Sequence, residues 1–259
     1  MLPTEKIQNL AFVNGDLSGF INHLEETFIN RSTGAYIATV NPEIGYAAAK
    51  DKDYFQTVSS ADFILPDGIG IVLTSRLTHH RLKARIAGYD VFINLLGIAN
   101  QKKKKVFLYG AKPGVIQAAA ERISNEYPDI ELVGYSDGYV KDRESVALQI
   151  AQTNPDMVFV ALGCPHQENF IYEHKHLFPQ AIAIGVGGSF DVFSGTVKRA
   201  PKILIKLNLE WMYRLLTNPS RWRRMLNIPK YVFSVLKEEK FQKQHLLSEP
   251  IKEQSKIDA

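Results

Sequence analysis

Short apolar runs alternating with helical patterns predict an α/β fold for this 259-residue chain. The runs GAYIATVN, ADFILP, KVFLYG, IELVGY, DMVFVALG and AIAIGVGG are almost continuously apolar. Strands covered on both faces, as in a parallel sheet, read this way, whereas half-exposed strands alternate. Between them lie segments with helical periodicity, which parallel neighbours need as crossovers. Glycines and polar residues then gather where the runs stop. Together these predict a Rossmann-like, mostly parallel sheet sandwiched by helices.

The first strand is expected over 34–41, followed by a single helix through PEIGYAAAKDKDYFQTVSS with Pro42 in its first turn. ADFILP is the second strand. IVLTSRL is helical, as is the stretch from about Tyr89 to Asn100. KVFLYG (105–110) is a strand and KPGVIQAAAERISNEY a helix. IELVGY (130–135) precedes a helix through SVALQIAQ. DMVFVALG (156–163) precedes a helix through QENFIYEHKHLF, and AIAIGVGG (181–188) closes the series. From about Thr196 no strand signal remains. Two or three helices are expected there, broken near Asn218-Pro219 and Ile228-Pro229. The chain therefore divides into an α/β body, 1–195, and a helical, basic C-terminal appendage, 196–259.

Composition narrows the class. With 45% hydrophobic and 22% charged residues the chain is globular. Its one cysteine, Cys164, excludes a disulfide framework and a cysteine-built zinc site, and suits a reducing compartment. The N-terminus lacks a basic start followed by a long apolar core, so no signal peptide is expected. No apolar window reaches about 18 residues, so no bilayer-spanning helix is expected. The net charge of +4 is unevenly spread: Lys198 to Ala259 holds 14 Lys/Arg against 6 Asp/Glu, which leaves the rest with 17 against 21. A basic tail on a mildly acidic body suggests a polyanionic partner, a membrane surface, nucleic acid or a phosphorylated substrate; the plainer reading is a solvated helical face.

The familiar phosphate motifs are missing. No G-x-G-x-x-G opens a helix after the first strand and no G-x-x-x-x-G-K-[ST] occurs, which argues against an ordinary dinucleotide dehydrogenase and a P-loop NTPase. Without a G-x-S-x-G elbow a hydrolase is disfavoured. His174 and His176, two apart on a helix, do not share a face as paired metal ligands would. What the sequence offers instead is polar groups at strand ends, where open parallel sheets bind ligands. These are Thr39 and Asn41; Asp67, Gly68 and Gly70; Tyr109 and Gly110; Asp137 and Gly138; Gly163, His166, Gln167 and Glu168; and Gly187, Gly188 and Asp191. Six endings on one edge predict a crevice. GVGGSFD and LYGAKPG could bring a phosphate against backbone N–H groups; the plainer reading is turns that need positive φ.

TVN (39–41), LPDGIG (65–70), LGCPHQE (162–168), GVGGSFD (185–191), GTVKRAP (195–201) and LEWMYRLLTNPSRWRR (209–224) occur in this order. In combination they closely resemble the WecG/TagA/CpsF family, glycosyltransferase family 26, over about residues 10–240. The resemblance implies an inverting, metal-independent glycosyltransferase with no cofactor. It would act at the inner, cytoplasmic face of the membrane as a peripheral protein, and move a sugar from a UDP-sugar donor to a polyprenyl-diphosphate-linked acceptor. Among family members, teichoic acid linkage-unit enzymes transfer N-acetylmannosamine to undecaprenyl-diphosphate N-acetylglucosamine, and that is the reading favoured here. The same fold with UDP-glucose or a uronate donor, in exopolysaccharide or surface antigen synthesis, is the alternative. A non-catalytic nucleotide- or lipid-binding protein is the alternative of another class. A monomer at the membrane, self-associating in solution, is expected.

By the same resemblance Asp67 is the base that takes the acceptor's hydroxyl proton; the plainer reading is a cap for the helix starting near Ile69. Thr39 and Asn41 stand beside the base, against the plainer reading of a strand-end turn. Gln167 contacts the donor, while Glu168 suits a helix start. Gly110, Gly187 and Asp191 lie near the nucleotide. Arg214, Arg221 and Arg224 from the appendage, with Arg85 from the body, stabilise the diphosphate. For Arg214 the plainer reading is a surface ion pair with Glu210, worth about 0.2–0.5 kcal/mol; for RWRR it is a membrane-facing patch. Trp222, Tyr231 and Phe233 supply interfacial surface, whereas Trp211 is expected to pack against the body. No zinc finger or RNP-like motif supports nucleic acid as the polyanion.

Overall fold

The computed structural model describes residues 2–219 and 222–248, with side chains at all of these except 223, 224 and 242–248. Strands β1 (Thr4–Ile7) and β2 (Leu10–Val13) form an antiparallel hairpin that sequence reading missed. Gln8 and Asn9 turn it with φ of 50° and 61°, the paired positive values of a two-residue hairpin loop. Helix α1 (Leu17–Leu24), capped by Asp16 and prolonged by a π-helical turn at Glu25–Ile29, follows.

Next come β3 (Ala35–Val40), α2 (Pro42–Ala48), α3 (Lys52–Ser59), β4 (Phe63–Pro66), α4 (Ile69–Arg76) and α5 (Gly88–Gln101). The single helix expected over 42–60 is two helices. The first stops at Ala48, and Asp51 caps the second, its Oδ1 accepting from the backbone N–H groups of Asp53 and Tyr54. The local carboxylate offers those N–H groups a partner and so restarts the helix. β5 (Lys105–Gly110), α6 (Pro113–Glu126), β6 (Glu131–Ser136), α7 (Arg143–Thr153), β7 (Met157–Ala161), α8 (His166–His174) and β8 (Ile182–Gly185) complete the body as expected, followed by α9 (Ser189–Phe193).

The sheet runs β1-β2-β4-β3-β8-β7-β5-β6, parallel throughout except for the hairpin. Successive side chains of a strand face opposite sides, and the core splits accordingly. Ala35 and Ile37, Met157 and Phe159, Ile182 and Ile184 pack with α1, α5, α6 and α9. Tyr36 and Ala38, Val158 and Val160, and Ala183 pack with α2, α3, α7 and α8. Both faces are buried, which is why these strands read as continuous apolar runs.

Beyond Thr196 no described residue is in a strand. The helices are α10 (Lys202–Lys206), α11 (Glu210–Thr217), α12 (Trp222–Met225) and α13 (Asn227–Ser248). Asn218 ends α11 before Pro219, as expected. Pro229 sits in the first turn of α13, where a missing N–H is harmless. One face of α13 docks on the body: Tyr231 and Val235, 1% and 4% exposed, enter the second core cluster. The Tyr231 ring lies so close to α2 that a Cβ on Gly45 would stand 2.6 Å from it. The outward face leaves Phe233 71% exposed.

Candidate active site

The four central strands β4, β3, β8 and β7 end side by side, and α11 to α13 fold over those ends. Between them lies a cavity of about 410 Å³, within the range of small-molecule sites. Thr39, Asn41, Asp67, Gly163, Gln167 and Gly187 line it from the body, and Trp211, Arg214, Leu215, Met225 and Ile228 from the appendage. Trp211, expected to pack against the body, is 39% exposed and faces this cavity.

Asp67 follows β4, its backbone N–H donating to Val40 of β3 at 2.8 Å. It does not cap α4. That cap is Gly68, at φ 100°, with no side-chain bond. The Asp67 carboxylate instead accepts from the backbone N–H of Gly88 at the start of α5, where a helix dipole favours a negative charge. Burial is the largest influence and pushes the carboxyl up. Arg85 and Arg214 oppose it, Glu210 supports it, the Gly88 N–H opposes it, and the group remains raised above its usual range. A carboxylate so held in a cavity is suited to accept a proton.

The neighbours divide by the bonds they already make. Thr39, buried, donates its hydroxyl to the Gly185 carbonyl at 2.8 Å, tying β3 to β8; its hydrogen is committed, so it positions the strands beside Asp67. The Asn41 Oδ1 caps α2, accepting from Glu43 and Ile44 N–H. The strand-end role therefore holds, while its amide N–H groups remain for a ligand. Gln167 is 2% exposed. Its Nε2 donates to Glu168 at 2.8 Å and its Oε1 accepts the Gly187 N–H at 3.0 Å. Those two partners determine which way the amide points.

Glu168, read as a helix-start carboxylate, proves to be the anchor of this network. It is 1% exposed and also accepts from the Tyr54 hydroxyl at 3.0 Å. Burial pushes its carboxyl up, against the opposing bonds from Gln167 and Tyr54. Gly187, at φ 52° and lining the cavity, is thus held from behind. Nothing in the local sequence distinguishes Glu168 from an ordinary helix-start acid; only the packing of α8 against α3 turns it inward.

Two expected residues stand elsewhere. Gly110 does not line the cavity: at φ 118° its missing Cβ leaves room for the Ala161 carbonyl, which would otherwise lie 2.4 Å away. It is a close-approach glycine between β5 and β7. Asp191 is in the first turn of α9, also outside the lining. The ends of β5 and β6, at Gly110 and Gly138, lie beyond the four strands that bound the cavity, so four of the six expected endings converge. Arg221 and the Arg224 side chain lie outside the described residues.

Arg85 and Arg214 both line the cavity, and both bind Glu210. Arg85 directs Nη1 and Nη2 at one carboxylate oxygen, each at 3.3 Å, and Arg214 reaches the other at 2.7 Å. The Glu210–Arg214 contact is the expected i,i+4 pair, yet it is no surface pair: the Glu210 side chain is 10% exposed. Burial pushes this carboxyl up, but Arg214, Arg85 and Arg199 outweigh it and leave it lowered. Among the described residues no cluster of His, Cys, Asp or Glu is arranged to hold a metal ion. An Asp-x-Asp pair does occur in the sequence, at Asp51 and Asp53, but it sits at the start of α3 and neither residue lines the cavity.

The family model for glycosyl transferases of the WecG/TagA/CpsF family matches residues 5–245. A Bacillus subtilis (strain 168) protein named N-acetylglucosaminyldiphosphoundecaprenol N-acetyl-beta-D-mannosaminyltransferase is 63% identical over 242 residues, covering 93% of this chain and 94% of its own. Proteins of the same name from Bacillus spizizenii and Staphylococcus aureus (strain NCTC 8325 / PS 47) are 56% and 36% identical. They cover 98% and 89% of this chain, and 99% and 91% of their own. A match across nearly the whole chain places this protein in the WecG/TagA/CpsF family of glycosyl transferases.

Proposed function

We propose that this enzyme transfers N-acetylmannosamine from UDP-N-acetylmannosamine to undecaprenyl-diphosphate N-acetylglucosamine, building the linkage unit of teichoic acid. The observation that carries the reading is the juxtaposition, in one cavity, of the Asp67 carboxylate with the guanidinium groups of Arg85 and Arg214. An acceptor hydroxyl attacks the anomeric carbon on the face opposite the nucleotide. The new C–O bond forms as the bond to the β-phosphate oxygen breaks, and configuration inverts. Asp67 takes the hydroxyl proton. Arg85 and Arg214 meet the charge that develops on departing UDP, with Arg221 and Arg224 assigned to the same task. Asn41 and the turn at Gly187, ahead of α9, orient the sugars, and Gln167 and Glu168 hold that turn.

In this reading 1–195 is the catalytic body, and 196–259 completes the site and binds the inner face of the membrane. Support for the second role comes from apolar side chains that the appendage leaves in solvent, among them Ile203, Leu216 and Phe233, interleaved with its excess of Lys and Arg. No described helix is long and apolar enough to cross a membrane.

The test is Asp67→Asn, assayed on a short-chain polyprenyl-diphosphate N-acetylglucosamine with excess EDTA present. UDP binding measured by calorimetry is expected to persist while transfer falls about 10²–10⁴-fold. Turnover near that of the parent enzyme removes Asp67 as the base, and strict metal dependence removes the arginine role. Preference for UDP-glucose or a uronate donor in the same assay would overturn the assigned donor.

A further inference from the structure

Glu210 is the centre of a charge cluster that the transfer chemistry leaves unassigned. It lines the cavity, 8% exposed, at the first position of α11. Its two oxygens divide the two arginines, Arg85 from the body and Arg214 one turn further along α11. Arg199 adds a third positive charge nearby and is itself engaged, paired with Asp90 and stacked over the Tyr89 ring at 4.2 Å. Two guanidinium groups in one cavity repel each other and are attracted to the nearest carboxylate. Without Glu210, Asp67, on which both already act, is left to attract them. An ion pair there would hold Asp67 in its charged form and hinder it from accepting a proton.

We propose that Glu210 is a resident counter-anion, which keeps Arg85 and Arg214 off Asp67 in the free enzyme and yields them to the donor's diphosphate on binding. The proposal rests on the reading of Asp67 as base and of the arginines as diphosphate ligands. Glu210 touches neither reacting atom; it is a positioning residue. The geometry suits exchange rather than permanent capture. Arg85 makes a forked pair of long bonds to a single oxygen, and Arg214 uses Nη2 alone, so neither forms the parallel two-bond pair that locks an arginine to a carboxylate.

The decisive variant is Glu210→Gln, which keeps an acceptor oxygen and the side-chain shape but removes the charge. Three readouts are expected to move together. UDP should bind several-fold more tightly by calorimetry, because the carboxylate no longer competes for the guanidinium groups. Turnover should fall. The acid limb of kcat/KM should move to lower pH, because Arg85, Arg214 and the Gly88 N–H now act on Asp67 without the opposing charge. Glu210→Asp should return the acid limb toward that of the parent. A merely structural Glu210 predicts the reverse pattern: weaker or unchanged UDP binding, an unmoved acid limb, and activity lost in proportion to folded protein measured by melting. That pattern overturns the proposal. UDP binding does not depend on which group is the base. A fully active Asp67→Asn enzyme would therefore remove the base while leaving tighter UDP binding in Glu210→Gln as a separate result on the arginines.

Discussion

Replacing Tyr231 tests whether the appendage is held on the body by its own core contact. Tyr231 is 1% exposed and packs against Gly45 of α2 and into the second core cluster. An aromatic side chain buries about 150–250 Å², which at about 25 cal/mol per Å² is worth about 4–6 kcal/mol. Its hydroxyl is buried without a hydrogen-bond partner, and such a group costs about 1–3 kcal/mol. Tyr231→Ala removes both and should destabilise docking by about 3 kcal/mol, the low end for aromatic truncations. Tyr231→Phe removes only the unpaired hydroxyl and should be neutral or stabilising by about 1 kcal/mol. Urea unfolding reads the global effect, and limited proteolysis of α13 reads local undocking. Because Met225 and Ile228 line the cavity just ahead of Tyr231, the alanine variant should also raise the donor KM. A Tyr231→Ala protein with unchanged unfolding, unchanged cleavage and unchanged KM would refute this account of docking.

Gly110→Ala should fail to fold or melt far lower, because φ 118° and the Ala161 carbonyl leave no room for a Cβ; a stable variant with selectively weakened UDP binding would return Gly110 to the nucleotide site. Asp67→Asn should melt higher than the parent at pH 7. Its folded carboxyl is raised above 3.8, so the fold binds this proton more tightly than the unfolded chain does. Its stabilising contribution is present at low pH and lost as pH climbs through the raised value, and Asn escapes that loss. The gap should close as pH falls toward 3.8, and a gap that does not vary with pH would contradict the sign. Phe233→Glu should weaken sedimentation with anionic vesicles and leave melting unchanged, since Phe233 is exposed; unaltered vesicle binding would exclude this face of α13 from the membrane contact.

The body of this protein could be read from its amino acids because the signals are local. A strand buried on both faces must be apolar throughout, so β3, β5, β7 and β8 announced themselves within single runs of residues. The β1–β2 hairpin escaped notice because its strands are four residues long and its turn uses Gln8-Asn9 rather than a glycine pair. The break between α2 and α3 escaped because helical periodicity continues across a cap that only Asp51's own bonds reveal. Asp67, Thr39, Asn41, Gln167, Gly187 and Arg214 stand in motifs and at strand ends of the sequence, and the fold gathers them at one cavity with Arg85. What each binds there is set by partners distant in sequence. Thr39 meets Gly185, Gln167 meets Gly187, and Tyr54 meets Glu168. Glu210 looked like half of a weak surface pair with Arg214 until the fold brought Arg85 to its other oxygen. A chain written in one dimension records which charges it carries, but not which are desolvated together. That depends on the contact of α11 with the body, which sets Glu210 between Arg85 and Arg214 in the cavity that Asp67 also lines.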